Sequence, residues 1–313
     1  AGAVANHAGE LIFTTVTMDR AEIQLVMLRQ WFGSLKAAAC HALLIGVDTA
    51  TCAVARNASL PCFVDGLAPK LRGKQNHFGP QVLMKWWYAL TLLEQEHHLI
   101  FSDCDIAWLA DPFAGWDRSF DLQGLSDVYS ANLTLSAHHE ITCNRGWMDG
   151  MYEHGRRTIY PCQSTGLWFI RDRLASRAFL KGLYGYLSVR SNEWEQKAFQ
   201  LIVMRFLVGI GDEMPPLRYR LLPHSRFVNI EMYEQRQASG LNTSETKAVH
   251  CGYLNTVGDK LYHLDRNGFL EHGLQAHHRM AAAIEGRLPD ASGARTTSLS
   301  LKRKDRTFVQ VMV

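Results

Sequence analysis

Leu11-Ile-Phe-Thr-Thr-Val-Thr17 is apolar, β-branched and aromatic, the composition of a strand. Asp19-Arg-Ala-Glu22 follows as an N-cap with a carboxylate three residues on. This capping box opens an amphipathic helix with Ile23, Val26, Met27 and Gln30 near one line. Ala42-Leu-Leu-Ile-Gly-Val47 and Cys62-Phe-Val64 are two further short apolar runs, with an Ala-rich, helix-compatible stretch between them. Gln81 to Glu96 carries Val82, Trp86, Ala89 or Leu90, and Leu93 at helical spacing, ahead of the apolar Leu99-Ile-Phe101. The second half predicts a strand at Gly166–Arg171, helices near Leu174–Ser188 and Glu193–Leu207, and irregular chain from Arg218 to Asn229. Alternating strands and helices predict an α/β fold, a Rossmann-like and mainly parallel sheet with helices on both faces. One domain is expected over residues 1–285. From Gly286 to Val313 Ser, Thr, Arg and Lys replace any helical period, as in a flexible tail.

Composition narrows the function classes. The 33 Lys and Arg nearly balance the 30 Asp and Glu, so the net charge of +3 gives no field to gather nucleic acid. No run reaches the roughly 18 to 20 apolar residues of a membrane span, and the first ten residues lack a signal-peptide pattern. The chain opens on Ala1, which suggests an upstream segment; membrane attachment is expected only through a segment absent from this chain. Seven cysteines contain no C-x-x-C pair, which removes zinc-ribbon and thioredoxin-like readings. Asn57-Ala-Ser59, Asn132-Leu-Thr134 and Asn242-Thr-Ser244 are N-glycosylation acceptors and tilt the reading toward a secretory lumen, where cysteines can pair.

Asp103-Cys-Asp105 is the chemical centre of the sequence. It follows a buried strand, where open α/β sheets bind ligands, beyond the carboxyl ends of their strands. On extended backbone, residues two apart share a side, so the two carboxylates reach one cation while Cys104 faces away. Mn²⁺ or Mg²⁺ takes such hard oxygen ligands and leaves positions for phosphate oxygens, which suits a diphosphate leaving group. Thr15 and Asp19 close the first strand, within reach of a nucleotide's base or ribose, although capping explains Asp19 equally well.

Ile100-Phe-Ser-Asp103-Cys-Asp105-Ile-Ala-Trp108-Leu-Ala-Asp111-Pro112 resembles the "lfsDvDvvWlrdP" core of the nucleotide-diphospho-sugar transferases of glycosyltransferase family 77, with Cys104 where Val or Ala is usual. Lys85 falls where that family tends to carry a lysine, while a lone helical Lys reads as a solvated charge. Gln163-Ser-Thr-Gly166-Leu-Trp-Phe-Ile-Arg171 is similar to its "N-S-G" strand, with Gln163 and Thr165 near the usual Asn. Glu193-Trp-Glu195-Gln196-Lys-Ala-Phe199 is similar to its "D-Q-x-x-F" helix, with Glu195 for Asp. Val249-His250-Cys-Gly252 followed by Gly258-Asp-Lys260 is similar to the "H-x-G…K" element of related retaining enzymes.

The resemblance implies a GT-A fold, a nucleotide-sugar donor such as UDP-galactose, UDP-xylose or UDP-arabinofuranose, and a glycan or hydroxylated protein acceptor in the Golgi lumen. It also implies that His250 joins Asp103 and Asp105 as a third ligand, that Lys260 and Lys85 lie with the cofactor-binding residues, and that Glu195 and Gln196 lie beside the donor sugar. An imidazole among the ligands suits Mn²⁺ better than Mg²⁺. Two other readings stand beside this one, a carbohydrate-binding module without catalysis and a haloacid-dehalogenase-type phosphohydrolase. The latter wants Thr or Val where Ala107 stands. Trp86-Trp87 and Trp108 read as core, and the His97-His98 and His138-His139 pairs as surface loops.

Overall fold

The computed structural model describes residues 5–6, 8–18, 21–38, 40–64, 80–126, 163–190, 193–207, 215–252, 254 and 256–270. Asp19, His138, His139, Asn132, the expected boundary near residue 285 and the tail 286–313 lie outside them. The chain runs β1 (Glu10–Val16), α1 (Ala21–Ala37), β2 (Ala42–Gly46), α2 (Thr49–Asn57), β3 (Cys62–Phe63), α3 (Pro80–Glu94), β4 (His98–Ser102), β5 (Ile106–Trp108), β6 (Leu122–Ser126) and β7 (Gln163–Ile170). It continues through α4 (Leu174–Ser188), α5 (Glu195–Leu207), β8 (Tyr219–Leu221), β9 (Phe227–Asn229), α6 (Ile230–Ala238), β10 (Ala248–His250) and α7 (Val257–Arg266).

Seven strands form a mixed, mainly parallel sheet in the order β3-β2-β1-β4-β7-β6-β8. Strands β1 to β4 are mutually parallel, while β7 pairs antiparallel with both β4 and β6. Alternation along β1 sorts its side chains between the two layers. Leu11 and Phe13 enter the core beneath α3, α4 and α5, and Ile12 enters the one holding Trp31 and Leu35 of α1. Trp86 and Trp108 are buried as expected.

The stretch from Arg218 to Asn229, expected to be irregular, contains β8 and β9. Three-residue strands are too short to show a period of two, so the pattern carried no sign of them. Strand β9 joins β10 and β5 in a second, three-stranded sheet of order β5-β10-β9. His97-His98 is not a surface loop either. His98 opens β4, is half-buried, and its Nδ1 accepts the Asp172 N–H at 3.0 Å.

Chain direction places the site. From β1 the chain passes through α1 to β2 and α2 to β3 on one side, then returns to β4 on the other side of β1. The crevice at the carboxyl ends of β1 and β4 is therefore the point where strand order reverses, the ligand position of doubly wound sheets. Cys52 of α2 and Cys62 of β3 form a disulfide against the end of β2. Gly46 is required there, because a Cβ would stand 2.7 Å from Cys52 Sγ. Among the described residues no helix is long and apolar enough to cross a membrane.

Candidate active site

The large sheet ends and the small one begins at Asp103-Cys104-Asp105. The motif does not continue the strand as expected. It is a tight turn in which the Ile106 N–H donates to Asp103 O at 3.3 Å, carrying the chain from β4 to β5. Both flanks of the turn are pinned. Asp103 N–H donates to Gly166 O of β7 at 2.7 Å, and Cys251 N–H donates to Asp105 O at 3.1 Å. Ser102 supplies the third anchor. Its hydroxyl accepts from the Trp31 and Trp108 indoles at 2.9 and 3.2 Å and contacts Asp103 O at 3.1 Å as donor, which exhausts its hydrogen-bonding capacity. Cys104 packs among apolar residues of three core clusters and also borders the cleft, so it turns away only in part.

His250, at the end of β10, pairs in register with Ile106 and so stands beside Asp105. Its Nε2 lies 3.4 Å from Asp105 Oδ1 and 3.9 Å from Asp103 Oδ2. One ligand atom from each of the three residues falls within 4.8 Å of the others. Two glycines leave room for this cluster. A Cβ on Gly166 would stand 2.6 Å from His250 Cε1 and 2.7 Å from Asp103 Oδ2, and one on Gly252 would collide with the same imidazole.

Helix α7 is capped by Thr256, whose hydroxyl accepts the Asp259 N–H at 3.0 Å. Val257, Leu261 and Leu264 are buried at helical spacing, which turns Lys260 into the cleft. Its ammonium meets Asp105 Oδ2 at 2.8 Å. Burial opposes ionisation of Asp105, yet Lys260 and His250 outweigh it and hold the carboxyl far below the usual carboxylate range. Burial likewise opposes the charged forms of Lys260 and His250, and Asp105 reverses the sign, raising both.

On the opposite wall Lys85 of α3 is 4% exposed, not the solvated charge its isolated position suggests. Its Nζ donates to Glu195 Oε1 at 3.1 Å and lies 4.2 Å over the Phe101 ring. Glu195, in the first turn of α5 where the helix dipole favours an anion, also accepts from Thr165 Oγ1 and Trp86 Nε1, each at 3.1 Å. Trp86 stacks on Trp168, which stacks on Phe101, so the carboxylate rests on a rigid aromatic wall. Lys85→Met strands a largely buried carboxylate and is expected to cost about 3–5 kcal/mol of unfolding free energy. Adding Glu195→Gln should recover part of that loss. Urea denaturation of the two variants checks this, and equal stability would dissolve the pairing.

Thr15, Lys85, Asp103, Asp105, Glu195 and Lys260 line one cleft, with Met27 and Leu28 of α1. His250 is not among the lining residues and stands against the cleft's Asp103 and Asp105. Gln196, next to Glu195 on α5, is buried and is not among the lining residues. The sequence reading missed Ser102, Gly166, Gly252 and the Trp86 indole as parts of the site. Glycine next to a ligand motif was the one available signal.

The donor set tests well for a hard divalent cation. It offers two carboxylates and an imidazole, and Asp105 Oδ1, 3.4 Å from His250 Nε2, is a buried acceptor without a hydrogen-bond partner among the described residues. The sequence profile of the nucleotide-diphospho-sugar transferases matches residues 38–264. The chain belongs to that family, and it is a glycosyltransferase. Comparison with curated proteins by sequence finds no match.

Solved structures similar to this transferase include the WbbM bifunctional glycosyltransferase, at 9% identity and a TM-score of 0.50 over 88% of this chain and 52% of that one. The galactosyltransferase LgtC with donor and acceptor sugar analogues gives 11%, 0.48, 85% and 99%. GlyE of Streptococcus pneumoniae TIGR4 gives 9%, 0.46, 90% and 65%. The transferase spans about half the length of the first of these. At 9% identity the first of these speaks for the GT-A fold alone.

Proposed function

We propose that this transferase moves a sugar from a UDP-sugar to a hydroxyl of a glycan or hydroxylated protein, with retention of configuration, in the Golgi lumen. The observation that carries the reading is the convergence of Asp103, Asp105, His250 and Lys260 at the crevice where strand order reverses. Asp103, Asp105 and His250 would hold Mn²⁺, or Mg²⁺, which when bound would supply Lewis-acid neutralisation of a diphosphate leaving group. Lys260 adds a second positive charge on the same side. Thr15, at the mouth of β1, is placed for the nucleoside.

Glu195 faces the donor sugar as an acceptor of hydroxyl hydrogen bonds. Lys85, Thr165 and Trp86 already engage both of its oxygens, which favours positioning and charge stabilisation over covalent attack. Front-face attack, with the leaving phosphate taking the acceptor's proton, fits that arrangement. The compartment assignment draws support from the Cys52–Cys62 disulfide, since such bonds persist in oxidising compartments.

The test is release of UDP from UDP-galactose, UDP-xylose and UDP-arabinofuranose with and without Mn²⁺. Manganese-dependent consumption of one of them is expected. Turnover of a GDP-sugar alone would overturn the donor assignment, and release of inorganic phosphate from a phosphomonoester would point to a hydrolase.

A further inference from the structure

The strands give the molecule two poles. His250 ends β10 at the donor cleft, so the segment leading into Ala248 enters at the end of that strand turned away from the cleft. Asn229, in register with His250, caps α6 at the cleft end, and α6 then runs back to Ala238 and the turn beyond it. That turn carries Asn242-Thr-Ser244. Asn242 and Ser244 are both exposed.

The turn presents its asparagine for modification. Asn242 Oδ1 accepts the Ser244 N–H at 2.9 Å, while Arg236 Nη2 fixes the Asn242 carbonyl at 2.8 Å. The side chain is thus held by its oxygen, and Nδ2 has no protein partner among the described residues. Asn57 likewise lies away from the cleft, because α2 starts at the cleft end of β2 and runs back. It differs in setting: the Cys52–Cys62 bond closes the loop around it, and Ser59 is held at φ 62°. Asn242 stands in an open turn. The disulfide is the independent sign of passage through the oxidising compartment in which oligosaccharide transfer occurs.

We propose that Asn242 carries an N-linked oligosaccharide, at the pole facing away from the donor cleft. The donor class is a lipid-pyrophosphate-linked oligosaccharide. A bond forms between Nδ2 and the anomeric carbon, the bond from that carbon to pyrophosphate oxygen breaks, and the lipid pyrophosphate leaves with the electron pair. Nδ2 gives up one proton to the transferring enzyme. Ser244 supplies the hydroxyl that such acceptors require two residues after the asparagine. A glycan here faces bulk solvent and shields the exposed Leu241 beside it.

The test is secretion of the full chain from a eukaryotic host behind a host leader, followed by mass spectrometry of the peptide containing Asn242. Treatment with a peptide N-glycosidase in heavy-oxygen water should convert Asn242 to labelled aspartate. Asn242→Gln and Ser244→Ala should each remove one glycan's step in gel mobility. The second variant keeps Asn242 itself and so guards against a folding artefact in the first. Sugar-donor turnover should be unchanged after the glycan is removed. Recovery of the unmodified peptide from secreted protein, or an undiminished step in Ser244→Ala, would overturn the proposal.

Discussion

Asp105→Asn is expected to lower turnover of the nucleotide-sugar donor by about 10²- to 10³-fold, the usual consequence of removing one preorganised charge from a site that stabilises a developing anion. The reason lies in how many functions meet on that carboxylate. One oxygen is a candidate metal ligand facing His250, and the other receives Lys260 at 2.8 Å. Asparagine keeps the shape and removes the charge that raises the pKa of both partners. Chelating divalent ions should reduce the parent enzyme to a similar rate and leave the variant where it is. Titration calorimetry with Mn²⁺ provides the direct readout. A variant that retains both binding and turnover would refute the assignment of the site.

Gly166→Ala should be nearly as damaging, although it adds one methyl group and changes no charge. The new Cβ would press on His250 Cε1 at 2.6 Å and on Asp103 Oδ2 at 2.7 Å. Neither neighbour has an easy retreat, because Gly252 also packs close against the imidazole and the Asp103 backbone is bonded to Gly166 itself. Overpacking of this kind costs about 1–3 kcal/mol, and a ligand displaced by about 1 Å can cost 10²-fold in rate. Gly185 supplies the control within the same chain. It lies in α4, and a methyl group added there would meet nothing within 4 Å, so alanine should raise stability by about 0.5–1 kcal/mol. Thermal melts and donor turnover on both variants check the pair. If Gly166→Ala behaves like Gly185→Ala, the crowding argument fails.

The sequence exposed some layers of this arrangement and hid others, for physical reasons. Strands β1, β2 and β4 are buried on both faces, so their continuous apolar runs stand out. Helix α4 was legible residue for residue over Leu174–Ser188, because its apolar stripe repeats over four turns. The acids of the motif were legible through its length and place after a strand, and His250 through the family resemblance. Their geometry was not, since a tight turn and an extended strand place residues two apart quite differently and composition does not distinguish them. Lys85 misled in its local setting: one charge on an apolar helix reads as surface, and its partner Glu195 is 110 positions away. The second sheet was hidden by the brevity of its strands. Asp19 stays an expectation, as it lies outside the described residues.

The turn between Ser102 and Ile106 is locked at both ends by different ladders, β4 against β1 and β7, and β5 against β10. Inserting or deleting one residue there cannot be absorbed by slippage, because a one-position slip would invert the faces of a buried strand. Length is thus the rigid quantity in this stretch. The identity of its middle residue is loose, since a small side chain need only fill apolar space. Drift in this enzyme's lineage would therefore be free to exchange Cys104 for another compact residue, while any change in chain count between the flanking acids would detach one sheet's contribution from the other's.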